Sequence, residues 1–218
     1  MDAHQSRPGR TARQAAIRLF LLSCLASLQL AGAAWADEAG AWRIGAELLI
    51  LSGDAHRLAH DRLGLQERAG LQSRIAGGLA SLPLALRRAG ADARPAGRLR
   101  AAFGRGDWQA FAAEAERLAK RFPFSPAFAA TQATPARIAA GRRLHAETCA
   151  GCHDADWGDV PLPARNLNRM AAAMPRAEFA ARLWLGVRAT RELAYANPFD
   201  DEELAALFAY YGSSTRAR

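Results

Sequence analysis

Apolar residues recur at helical spacing through most of the chain, which predicts an all-α protein. In the N-terminal half this pattern marks helical segments at residues 41–51, 54–64, 66–89 and 107–121. Glycine and proline interrupt the pattern at Ser52-Gly53, Gly64, Gly90 to Pro95, and Pro123. The last segment has one apolar face, formed by Trp108, Phe111, Ala112, Ala115 and Leu118.

Three more helices are predicted in the C-terminal part from the signals at their ends. Thr134 is placed to cap a helix that begins at Pro135, and Pro175 opens another helix that Gly186 closes. Asp200 and Glu203 have the spacing of a capping box. The amphipathic helix that follows this box carries one apolar stripe of Leu204, Leu207, Phe208 and Tyr211.

The N-terminal segment has the pattern of a secretory signal peptide, which we assign to residues 1–36. Four Arg precede an apolar run from Leu19 to Ala33, and small residues flank Trp35. The run is about 15 residues long, short of the roughly 20 that span a bilayer. We therefore expect an exported, periplasmic chain that begins at Asp37. A lipoprotein signal cleaved before Cys24 is the alternative.

A boundary between two domains is expected in the stretch from Pro123 to Thr134, which carries Pro, Ser and Thr between helical patterns. We predict a small helical domain of unknown role at residues 37–133, followed by a second helical domain at residues 134–218.

Composition and charge narrow the functional classes. Half of the 218 residues are apolar, which is enough for a well-buried core. The net charge is +8, and removal of the signal peptide with its four Arg and one Asp lowers it to +5. The remaining Arg residues are interleaved with Asp and Glu rather than clustered with aromatic residues, which argues against nucleic-acid binding.

The strongest chemical signal is the segment Cys149-Ala150-Gly151-Cys152-His153. Its Cys-x-x-Cys-His spacing is typical of c-type haem attachment, in which the two thiols form thioethers and the histidine binds iron. A redox dithiol, a structural disulfide and half of a zinc site are the alternatives. Residues 154–218 contain no further Cys or His, which argues against the zinc site.

Residues 135–212 resemble a class I cytochrome c domain, especially the domains of soluble bacterial dihaem cytochromes. The resemblance rests on the motif together with Gly141, Leu144, Pro163, Asn166-Leu167 and the segment Asp201 to Tyr211. It implies one covalent haem c, held by Cys149 and Cys152, with His153 as the proximal iron ligand. It also implies that the Pro163 carbonyl accepts a hydrogen bond from His153, and that the first and last helices cross where Gly141 meets Tyr210.

The second axial ligand of the iron departs from the family pattern. Spacing from Gly186 and from Leu204 places Leu193, which cannot bind iron, at the expected methionine position. Three alternatives stay open: Met174 or Met170 as the ligand, a nitrogen or oxygen ligand such as a His or Tyr195, and an open position. Met174 precedes Pro175 and is expected on a turn, whereas Met170 is expected on a short helical turn.

Other metal ligands have weaker signals. His56 and His60 lie four residues apart, a spacing that places both on one side of a helix. We interpret them, and His145, as solvated helix histidines rather than ligands. The acidic segment from Asp154 to Asp159 lacks a full set of calcium ligands, so we interpret it as a solvated loop.

These patterns predict a monohaem c-type cytochrome that carries single electrons between periplasmic redox proteins, such as a dehydrogenase or an oxidase. One alternative is a haem protein that binds a gas or reacts with peroxide, and another is a cytochrome subunit docked to a catalytic oxidoreductase. An enzyme in its own right is less favoured, because no acid–base constellation accompanies the motif. Residues 37–134 have a net charge of +4 and residues 135–218 one of +1. This asymmetry predicts that the N-terminal half steers an acidic partner.

Overall fold

The computed structural model describes residues 40–158, 160–186 and 197–214, and these residues form helices and connecting loops without strands. The all-α prediction is thereby confirmed. Residues Gly40–Arg218 constitute one compact unit. The predicted signal peptide, Leu193 and Tyr195 lie outside the described residues.

The N-terminal part of this unit contains four helices. Helix α1 covers residues 40–60, and it is followed by α2 (Leu65–Arg88), α3 (Arg94–Arg105) and α4 (Trp108–Ala119). Their apolar faces meet in one cluster that includes Leu48, Ile75, Leu86, Leu99 and Phe111. The predicted apolar face of α4 is confirmed, since Phe111, Ala112, Ala115 and Leu118 are buried there.

One predicted helix break is wrong, and another extends too far. Helix α1 continues through Ser52 and Gly53. Ser52 donates a hydrogen bond to Glu116, and the bare Cα of Gly53 makes room for the Glu178 carboxylate, so tertiary contacts outweigh the weak helix propensity of this pair. The break predicted from Gly90 to Pro95 is present between α2 and α3, but it ends at residue 93, before Pro95, and the pattern did not predict α3 itself. Proline fits the first turn of a helix, and Pro95 occupies that position in α3.

The C-terminal part begins with α5 (Ala127–Ala130) and α6 (Pro135–Leu144). A π-helical turn (His145–Cys149) and α7 (Ala150–His153) continue the same run. The described residues after this run also form α8 (Leu167–Ala173), α9 (Arg176–Leu185) and α10 (Asp201–Ser214).

The predicted helix ends of this part are confirmed. Thr134 accepts a hydrogen bond from the Arg137 amide at the start of α6. Gly186 ends α9 with a φ of 81°. Asp200 and Glu203 exchange backbone-to-carboxylate hydrogen bonds of 3.0 and 2.8 Å, which completes the capping box of α10.

The core contains two large apolar clusters, one formed by the N-terminal helices and the other by the C-terminal helices. The second is built around Phe128, Phe179, Phe208 and Tyr211. A smaller cluster joins α1 to α9 through Ala46, Ile50, Ala181 and Leu185. The change from one large cluster to the other falls between Phe122 and Phe128, close to the predicted boundary after residue 133. The division into two domains stays a prediction.

A buried ionic cluster also joins α1 and α2 to α9. It consists of Asp54, Arg57, Arg74, Glu178 and Arg182. The Asp54 side chain is fully buried and accepts hydrogen bonds from Arg57, Arg74 and Arg182 at 2.5 to 2.9 Å. Arg57 and Arg182 also donate to Glu178, at 2.5 and 2.7 Å. Burial alone would raise the pKa of Asp54, but the attraction of Arg182, Arg74 and Arg57 outweighs burial and holds this pKa well below its usual range.

Candidate functional site

The Cys-x-x-Cys-His motif lies at the end of the continuous run that begins at α6. Cys149 closes the π-helical turn, while Cys152 and His153 belong to α7. Both cysteines are free thiols, with Cys149 half-buried and Cys152 exposed. The two thiols and the imidazole are therefore brought together within one short helical turn that solvent reaches.

His153 is oriented by the loop that follows the motif. Its Nδ1 donates a hydrogen bond of 2.6 Å to the backbone carbonyl of Arg165. Nδ1 therefore carries the proton, and Nε2 is the nitrogen available to a metal ion. The expectation that Pro163 would be the acceptor is wrong, because the loop presents the carbonyl two residues later.

Helix α2 holds this loop in place. Gly70 approaches so closely that a Cβ there would overlap the carbonyl of Pro161. Glu67, also on α2, forms an ion pair with Arg165. The Arg165 carbonyl is thus fixed by an element of the N-terminal part. The sequence offered no signal for this acceptor, since a backbone carbonyl is the same in every residue.

His145 is buried beside the motif, contrary to its interpretation as a solvated histidine. Its Nδ1 shares a hydrogen bond of 2.9 Å with the Tyr211 hydroxyl, and its Nε2 one of 3.2 Å with Asp154 Oδ2. Burial raises the pKa of Tyr211, and the nearby Cys149 raises it further, so its hydroxyl keeps the proton. Because both nitrogens of His145 are engaged, this histidine is a structural partner rather than a free ligand.

The crossing of α6 and α10 places the motif against the last helix. A Cβ on Gly141 would overlap the carbonyl of Ala206 and crowd the Cβ of Tyr210. The predicted approach of Gly141 to Tyr210 is therefore present, with Ala206 as the nearest neighbour. Only glycine allows the two backbones to come this close.

The two candidate methionines lie on or next to α8. Met170 is within the helix and Met174 caps its C-terminus with extended backbone, as predicted for each. Both are half-buried and pack on the cluster of Phe128, Phe179 and Tyr211. The helix starts beside the motif, since Asn166 donates a hydrogen bond of 3.0 Å to Asp154. On the same helix, Asn168 Oδ1 is buried without a hydrogen-bond partner among the described residues.

The other candidate ligands have hydrogen-bond or ring partners of their own. His56 forms a hydrogen bond of 2.6 Å with Glu116, and its ring stacks on that of His60. Asp156 accepts from the amide of Gly158. Within residues 40–158, 160–186 and 197–214, no three His, Cys, Asp or Glu side chains are grouped so as to hold a metal ion. None of the helices in this described part has the length and apolar character needed to cross a membrane.

Comparison of the chain with protein-family models, with curated proteins and with solved structures found no match. The functional interpretation therefore rests on the residues and geometry of this chain.

Proposed function

We propose that this protein is an exported monohaem c-type cytochrome that carries single electrons between periplasmic redox proteins. One observation carries the proposal: His153 donates from Nδ1 to the Arg165 carbonyl and leaves Nε2 free, beside two free thiols on the same turn. This is the donor set that covalent haem needs, namely two sulfurs for the vinyl groups and one oriented nitrogen for iron.

The surroundings of the motif also suit a large flat cofactor. Leu144, Leu167, Met170 and Met174 are apolar and only partly buried, although they pack on a fully buried aromatic cluster. A bound macrocycle would complete the burial of such side chains, which favours binding by the hydrophobic effect. In this proposal Cys149 and Cys152 hold the haem, His153 binds the iron, and the haem supplies one-electron chemistry.

Met174 is the favoured sixth ligand and Met170 the second candidate. Met174 lies at the end of α8, where extended backbone frees its side chain from the helical stack. An open sixth position would instead favour the second function, gas binding or reaction with peroxide. Both methionines are half-buried against the aromatic cluster. These contacts suit a methionine that binds the iron as well as one that only lines an apolar pocket.

The first test is covalent haem attachment. The full chain is expressed with a c-type cytochrome maturation system, and haem is detected on the denatured polypeptide. We expect a stained band of the mature mass in wild type, none in the double variant C149A/C152A, and normal staining in the control His60→Ala. Absence of covalent haem in wild type would refute the proposal.

The second test separates the two functions by absorption spectroscopy with and without carbon monoxide. A low-spin spectrum that carbon monoxide leaves unchanged, and that becomes high-spin in Met174→Ala but not in Met170→Ala, supports the electron carrier. A high-spin wild-type spectrum that shifts with carbon monoxide supports gas binding. Purification as a stable complex with an oxidoreductase would support the remaining alternative, in which the protein is a cytochrome subunit docked to that enzyme.

A further inference from the structure

The loop that follows the motif presents an exposed aromatic side chain next to Cys152. Trp157 is 46% exposed and Val160 37%, which places both among the exposed large hydrophobic residues of the described chain. Most tryptophans are largely buried, so this exposure needs an explanation.

Trp157 is held in position rather than left loose. Its indole Nε1 donates a hydrogen bond of 2.6 Å to the Cys152 carbonyl. The next residue, Gly158, has a φ of +60°, and its amide donates to Asp156 Oδ1 at 3.1 Å. This Asx turn places a glycine at the positive φ directly after the tryptophan, a conformation that other residues rarely adopt.

The hydrogen bond connects Trp157 to the site of cofactor attachment. A covalent path leads from Cys152 Sγ through Cβ and Cα to the carbonyl oxygen, and the indole N–H continues it to the surface. Because Cys152 is exposed, this is also the side of the motif that solvent reaches.

The charge around Trp157 specifies the partner. Residues 153–164 contain three Asp and no Lys or Arg. Asp154 and Asp156 are exposed, while the next cation along the chain, Arg165, is paired with Glu67. An apolar centre with an acidic rim is complementary to a redox protein whose own site has a basic rim. Electron-transfer encounters need only a small interface of this kind.

We propose that Trp157, with Val160 and the exposed carboxylates of Asp154 and Asp156, is the surface on which a basic redox protein docks to exchange electrons through Cys152. This inference rests on the proposed function. It also differs from the sequence-based expectation of an acidic partner, because the charge close to Cys152 is opposite in sign to that of the N-terminal half.

Docking is tested by NMR on the haem-loaded full chain, with a lysine-rich c-type cytochrome as the probe. We expect the Trp157 indole N–H signal to shift during the titration and the Trp108 indole signal to stay in place. The shift should disappear at high salt, since the rim contacts are solvent-exposed. An unchanged Trp157 signal while other residues shift would overturn the proposal.

Electron transfer to the same probe is then measured by stopped flow. Trp157→Ala should slow the second-order reaction about tenfold, which is the loss expected for the central aromatic residue of an interface. Asp156→Asn keeps a side-chain oxygen that can accept from the Gly158 amide but removes a negative charge. This variant should react about threefold more slowly than wild type at low salt. The matched controls Trp108→Phe and Asp61→Asn should react like wild type.

The reduction potential of each variant is measured as well and should equal that of wild type, so that a slower reaction reports docking. Wild-type rates in Trp157→Ala, or a reaction that accelerates in Asp156→Asn, would contradict the proposed surface. A chain without covalent haem would instead refute the proposed function, which the staining experiment decides before these measurements.

Discussion

His145 illustrates how much a single residue depends on partners that are distant in sequence. It is 4% exposed, and Tyr211, which occupies one of its nitrogens, lies 66 residues later. The apolar stripe predicted on the last helix included Tyr211, but the spacing of that stripe says nothing about its hydroxyl. The motif itself was recognisable because its chemistry is local, whereas Tyr211 and Arg165, which orient His145 and His153, lie outside the motif in other segments.

We expect Tyr211→Phe to destabilise the protein although the ring and its packing remain. The variant leaves His145 Nδ1 buried without its partner, which costs about 1 to 3 kcal/mol of the free energy of unfolding. Urea unfolding of the two proteins measures this difference. Ser81→Ala, which removes an exposed hydroxyl on α2, is the control and should cost less. Equal stability of Tyr211→Phe and wild type would show that the hydrogen bond contributes nothing.

At the scale of elements, helix ends were predictable and helix interiors were less so. Thr134, Gly186 and the Asp200–Glu203 pair act within a few residues of themselves, so their capping roles can be inferred from sequence. Gly53 differs, because α1 needs a glycine there to make room for the carboxylate of Glu178, which belongs to another helix. The loop carbonyl that orients His153 belongs to the same class of remote contact.

The crossing of α6 and α10 gives a test at this scale. Gly141→Ala should destabilise the protein by about 1 to 3 kcal/mol, because the added methyl group has to displace the backbone of Ala206. The control is Gly77→Ala in α2, where a Cβ meets nothing within 4 Å. There the higher helix propensity of alanine should add about 0.5 to 1 kcal/mol of stability. Thermal or urea unfolding that gives the two changes the same sign would argue against the close crossing.

For the molecule as a whole, the buried ionic cluster is a polar link between the N-terminal helices and α9. We expect Asp54→Asn to cost about 3 to 5 kcal/mol, because Arg74 and Arg182 then keep their charges in a buried site without the carboxylate. Urea unfolding measures the loss. Asp92→Asn, which alters an exposed pair with Arg94, is the control and should leave the midpoint almost unchanged.

The same carboxylate makes stability depend on acid. The folded-state pKa of Asp54 lies below its ordinary value of 3.8. Its contribution is therefore fully present above that value, and it is lost as the pH falls below it towards the folded pKa. Wild type should lose stability between about pH 4 and pH 2 more steeply than Asp54→Asn, in unfolding curves measured across that range. Parallel pH profiles for the two proteins would show that Asp54 is not responsible.

The ionic cluster has a consequence for how such a chain can be altered by recombination. Asp54 and Arg182 are 128 residues apart, and three arginines share two carboxylates drawn from both parts of the chain. A hybrid that combined residues 40–133 with an unrelated partner sequence would bury Arg57 and Arg74 with only part of their counter-charge. We therefore expect substitutions at Asp54, Glu178 and Arg182 to arise in compensating pairs. We also expect the two parts of the chain to be inherited together.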